Sequence, residues 1–198
     1  MLMVSAAWQD GVMATHLALL RGINVGGGGK VPMAELRQLV TSLGHREVST
    51  YIQSGNVIFT PPHDDTASLA KELHAAVTET FGVRGGVVVL SRDELASVIS
   101  ANPYPDEPVL KYVHGVFLPE EPDEATIQRV RDAVAHAAAE GSRDEATIVG
   151  RTLYLHTPDG FGTSELAKEL LMNRRGQLAT ATARNWATVT KLLALCDG

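Results

Sequence analysis

The stretch VSTYIQSGNVIFT, from Val48 to Thr60, decides the class of fold. Val48 to Gln53 and Val57 to Thr60 are strand-like runs, and Ser54-Gly55-Asn56 lies between them. Glycine followed by asparagine in that setting predicts a tight hairpin, and a hairpin makes its strands antiparallel. A second hairpin is predicted around Gly150-Arg151, between Ala146 to Val149 and Thr152 to His156.

Working outward, Thr15 to Arg21 is a short apolar run that stops at glycine and reads as a buried strand. Pro32 suits the start of a helix carrying Met33, Leu36, Leu39, Val40 and Leu43, which Gly44 ends. Asp64 and Asp65 can cap a helix bearing Leu69, Leu73, Val77 and Phe81. Val87 to Leu90 is a strand, and Ser91 with Glu94 forms a capping box for the next helix. Residues 101–111, with three prolines, read as an extended connector. Beyond it come a strand at Tyr112 to Leu118, a helix at Asp123 to Ala139, the second hairpin and a helix at Thr163 to Met172. A last helix is expected to start near Thr182, with Trp186, Val189, Leu193 and Cys196 on one face.

The order is βαββαβ, then βαββα with an extra helix. It predicts an α+β chain of tandem ferredoxin-like units, antiparallel sheets with helices on one face. The divisions are an N-terminal extension at 1–14, a first subdomain at 15–100, the connector at 101–111 and a second subdomain at 112–198.

Of the 198 residues, 44% are hydrophobic, enough to build a core, and the formal net charge is −6. That balance argues against nucleic-acid binding. The one cysteine, Cys196, excludes an internal disulfide, and no run is long and apolar enough to span a membrane. A cytosolic protein is expected.

Three segments carry candidate site residues. Arg21-Gly22-Ile23-Asn24-Val25-Gly26-Gly27-Gly28-Gly29-Lys30 joins a strand to a helix. Glycines let backbone amides approach a ligand, and Arg21 and Lys30 supply charge, which is the physics of an anion cradle. Asn24 stands where a Walker A loop needs glycine, and Val31 where it needs Ser or Thr, so no nucleotide motif is complete. A flexible surface loop is the plainer explanation and stays open. Ser54 and Asn56 belong first to a turn, yet can face that loop. Arg184 and Asn185 open the predicted last helix, where a cation opposes the helix dipole unless it holds an anion.

The seven histidines form no metal pattern, with His16, His114 and His156 in separate strands. No catalytic set and no cofactor motif is recognisable. The sheet lacks the stacking aromatics of an RNA-recognition fold.

The segments LALLRGINVGG, TYIQSGNVIF and TARNWATVTKL, in that order, resemble a bacterial family known as domain of unknown function number 1697. The likeness runs from about Thr15 to Leu195. It departs at Gly28-Gly29, where the family often has polar residues, and at Ala187, where it often has asparagine. The resemblance implies a cytosolic protein of tandem ferredoxin-like units and brings no established activity. It places Arg21, Gly22, Asn24, Gly26, Gly27, Lys30, Gln53, Ser54, Gly55, Asn56, Arg184, Asn185 and Trp186 in the family's recurrent segments. The leading expectation is a binder of a small anionic or phosphorylated ligand. The alternative is an interaction or self-association module, a homo-oligomer included, and RNA binding is a weak third.

Overall fold

Every residue of strand β1 (His16–Leu20) is buried, which requires apolar cover on both faces of its sheet. The computed structural model describes residues 14–25, 29–172 and 176–198, and in it both halves of the chain supply that cover. Of the expected N-terminal extension, residues 1–13 lie outside the described residues.

Helix α1 (Met33–Ser42) follows Pro32, whose φ of −65° suits the cap position, and buries Leu36 and Val40. Strands β2 (Arg46–Tyr51) and β3 (Asn56–Thr60) form the first hairpin. Helix α2 (Thr66–Phe81) starts at Asp65, whose carboxylate accepts the N–H groups of Ala67 and Ser68, and stops at Gly82 with φ 68°. Strand β4 (Val87–Ser91) runs into α3 (Arg92–Ser100) through the predicted Ser91–Glu94 capping box.

The hairpin turn differs from its sequence reading. Tyr51 pairs with Asn56, so the loop has four residues, Ile52 to Gly55, instead of a turn centred on Gly55-Asn56. Asn56 is the first, fully buried residue of β3. Gly55 sits at φ 75°, where a Cβ would come within 2.7 Å of the Ile23 side chain and 2.8 Å of Leu20. Only glycine satisfies both constraints.

The second half contains β5 (Val113–Phe117), α4 (Glu124–Ala139), β6 (Glu145–Val149), β7 (Thr152–His156), α5 (Glu165–Leu171), β8 (Thr182–Asn185) and α6 (Trp186–Cys196). Here βαββα is corrected to βαββαβ followed by a helix. Residues 182–185 pair with β5, from Phe117↔Thr182 to His114↔Asn185. The helix therefore begins at Trp186, with Asn185 in place of Thr182 as its cap. Both residues are good N-caps, and pairing with β5 decides between them. The two sheets have orders β2-β3-β1-β4 and β6-β7-β5-β8, with every neighbouring pair antiparallel.

On one face of the first sheet, Ala18, Leu20, Val57 and Phe59 pack with Leu36 and Val40 of α1 and Leu69 and Leu73 of α2. On the other, Leu17, Leu19, Ile58 and Leu90 meet Leu95 of α3, Trp186 and Val189 of α6, and Phe117 and Tyr154 of the second sheet. Helices thus cover both faces of the first sheet, where cover on one face was expected. The outer face of the second sheet packs Val116, Leu118, Leu153 and Leu155 on α4 and α5. A Cβ at Gly115 would lie 3.1 Å from the Phe117 ring and 3.6 Å from Trp186, so glycine lets α6 lie close to β5. Among the described residues, no helix is long and apolar enough to cross a membrane.

Candidate functional site

The loop after β1 is held by a side chain. Asn24, at φ 54°, donates from Nδ2 to the Val31 carbonyl (2.8 Å) and the Gln53 carbonyl (3.0 Å), and its Oδ1 accepts the Val31 N–H (2.9 Å). Asparagine tolerates the left-handed region. Its amide closes the loop and ties it to the β2–β3 turn. Gly22 takes φ 66° and Lys30 is exposed. Gly26 and Gly27, on which the cradle reading depended, lie outside the described residues, as does Gly28.

Arg184 lies in β8, not in a first helical turn. It is only 9% exposed, and its guanidinium reaches into the first half. Nε donates to Asn56 Oδ1 (2.5 Å), and Nη2 donates to the carbonyls of Leu20 and Ser54 (both 2.8 Å). Nη1 donates to Thr182 Oγ1 (2.9 Å) and the Ala183 carbonyl (2.8 Å). Asn56 Nδ2 in turn donates to Ser54 Oγ and the Tyr51 carbonyl. Burial pulls the guanidinium down to about 10, which leaves it charged at neutral pH. All its partners are neutral oxygens. Sequence reasoning cast Arg184 as a direct anion ligand; its donors already bond to the protein itself.

Arg21 is held in a similar way. Its Nη1 donates to the carbonyls of Ala179 and Ala181, the latter at 2.9 Å. These carbonyls precede β8, so both arginines join the first half to the second.

Around them opens a cleft of about 520 Å³, lined among others by Arg21, Gly22, Ser54, Arg184 and Asn185. The three sequence-predicted segments therefore meet at one concavity, although Asn24, Asn56 and Lys30 do not line it. Among the described residues, its charged side chains are the two arginines, and no Asp or Glu lines it. A larger hollow elsewhere, about 810 Å³, sets Lys71 and Arg84 against Glu120 and Asp123 and so has no net sign.

Sequence reasoning missed two groups of cleft residues. His114 of β5 stacks on Phe161 at 4.1 Å between ring centroids. Burial lowers it to about 4, so it is neutral at physiological pH, and its buried Nδ1 has no hydrogen-bond partner among the described residues. Val25, Ile52 and Met172 also line the cleft and are 56%, 50% and 66% exposed. Ile52 is a β-branched residue at φ 48°, a strained conformation of the kind that marks functional sites. Only knowledge of the β5–β8 register could have brought His114 to this place. Among the described residues, no group of His, Cys, Asp or Glu is arranged to hold a metal ion.

A profile for the family described as "Protein of unknown function (DUF1697)" matches residues 13–154. The segment around Arg184 lies beyond that match. A similar solved structure is that of the conserved bacterial protein SP0830 from Streptococcus pneumoniae, with 25% identity and a TM-score of 0.70. The match covers 93% of this chain and 99% of that one. No curated protein matches the chain.

Proposed function

The chain belongs to the DUF1697 family, and from that premise we propose that it is a cytosolic protein binding a small anionic ligand in the cleft beside β8. One observation carries the reading. In a chain with 23 acidic and 17 basic residues, the described residues that line this cleft include two arginines and no carboxylate. Arg184 carries a buried charge with only neutral oxygens around it. In a concave site of lowered dielectric such a charge attracts an anion through its field, without direct contact. The strand orders support reading each half as a ferredoxin-like unit, with residues 101–111 as the connector.

The test is thermal shift and calorimetric titration with inorganic phosphate, acetate and benzoate against the neutral benzamide. A bound anion at 100 times its dissociation constant should stabilise the fold by about 2.7 kcal/mol, less so at high salt. Ile52→Asp, which brings a carboxylate to the mouth, should weaken that anion roughly fivefold. Failure of every anion to stabilise the protein would overturn the proposal. The exposed Val25, Ile52 and Met172 favour a second reading, self-association through this rim, which concentration-dependent sedimentation would reveal.

A further inference from the structure

We infer that the cleft recognises a carboxylate carrying an apolar remainder, with His114 and Asn185 as its two hydrogen-bond donors. This rests on the anion-binding reading and names the ligand class.

His114 and Asn185 stand directly opposite each other in the β5–β8 register. Cross-strand partners project from the same face, with Cβ atoms about 5 Å apart. Both line the cleft. The Oδ1 of Asn185 accepts the Thr188 N–H (2.9 Å) as the cap of α6, so the amide group is oriented by the helix while its NH2 remains available. His114 is nine-tenths buried and stacked on Phe161, which fixes the ring. Its Nδ1 is sealed and has no partner among the described residues, so the ring opens on the cleft through Nε2. A stranded N–H is rarer in proteins than a stranded acceptor. The neutral ring therefore carries its proton on Nε2, and that N–H is the second donor.

Two neutral donors side by side match the two oxygens of a carboxylate. A phosphate dianion demands more charge than they supply, and the Arg184 guanidinium is already bonded to protein oxygens. Beside the donors and the two arginines, the lining offers a group of apolar side chains: Phe161, Leu171, Met172, Leu178, Ile52 and Val25. The strained and exposed Ile52 then has a purpose, contact with the ligand's apolar part.

Benzoate is the probe, titrated calorimetrically into wild type, His114→Phe and Asn185→Ser, with inorganic phosphate and benzamide as comparisons. Phenylalanine keeps the stack and removes the donor, and serine keeps a helix cap and removes the amide. Each substitution should weaken benzoate about tenfold or more and leave the unliganded melting temperature within a few degrees. Benzoate should bind more tightly than phosphate or benzamide. Nitrogen-15 spectra of the imidazole should show the Nε2–H tautomer and a shift of that signal with benzoate. Equal benzoate affinity in the three proteins, or an Nδ1–H tautomer, would overturn the inference. Phosphate binding that both substitutions leave intact, with no benzoate binding, would also overturn it while the anion-binding proposal stands. Absence of binding by any anion would remove both.

Discussion

At the scale of single residues, Arg184 shows how a feature that looks functional in sequence acquires a structural reason. A cation in a first helical turn asks for an anion; the same cation in an edge strand reaches across to another sheet. Its bonds to Leu20, Ser54 and Asn56 leave buried acceptors unsatisfied once it is removed. Arg184→Ala should therefore destabilise by about 3–5 kcal/mol, read from the urea midpoint, and Arg184→Lys should recover part of it. A loss under about 1 kcal/mol would show that the bonds are dispensable. His114 gives a second residue-scale prediction. Its folded pKa, about 4 against 6.5, lies below the unfolded value, so the unfolded state binds the extra proton between them. Stability from this group is complete above pH 6.5 and is lost as pH falls toward 4, by up to about 3 kcal/mol. Burial also lowers His16 and His45, which steepens the same acid limb. His114→Phe should flatten the fall in melting temperature between pH 6.5 and 4, and an unchanged slope would refute this assignment.

At the scale of elements, what could be read in the sequence depended on how local its determinants were. The Ser91–Glu94 box and the Asp65 cap are set within four residues, and both were legible. Strand β8 was not. Thr182 to Asn185 is four residues long, follows no apolar alternation, and becomes a strand only because β5 is there to pair with it. The candidate site divides in the same way. The meeting of Arg21 and Gly22, at the start of the loop, with Arg184 follows from segments that shared no local explanation, and Ser54 joins them in the same cleft. His114 and Phe161 carried no local signal, since their nearness depends on long-range packing. The β2–β3 turn supplies the element-scale prediction. A β-branched residue at φ 48° costs about 1–2 kcal/mol, and Ile52 is half exposed, so little burial offsets it. Ile52→Asn should raise the melting temperature, corresponding to about 1 kcal/mol, while weakening any ligand held by the apolar rim. A lowered melting temperature would mean that Ile52 packs more than its exposure indicates.

At the scale of the whole molecule, the two halves are separate in topology and joined in their core. Each sheet closes with its own strands, yet Leu17, Leu19, Ile58 and Leu90 of the first pack with Trp186, Val189 and Tyr154 of the second half. Tyr154 also donates from its hydroxyl to the Val98 carbonyl (2.8 Å), and both arginines bond across the same boundary. A fragment of residues 14–100 would leave that apolar sheet face with α3 as its cover, without α6 and the second sheet, and strand the acceptors that Arg184 serves. Such a face promotes association in water. That fragment should therefore fail to give a cooperative, monomeric fold, whereas the full chain should unfold in one transition. Trp186, 5% exposed at the centre of the shared core, tests the same point without truncation. Trp186→Ala should lower stability by about 3–5 kcal/mol and keep the transition single, with the tryptophan-independent circular dichroism of both halves lost together. If the two halves instead melted separately, or if the fragment folded alone, the shared layer would be a docking contact between independent domains. The cleft beside β8 would then be free to open and close, in place of the fixed geometry on which the proposed selectivity for a carboxylate rests.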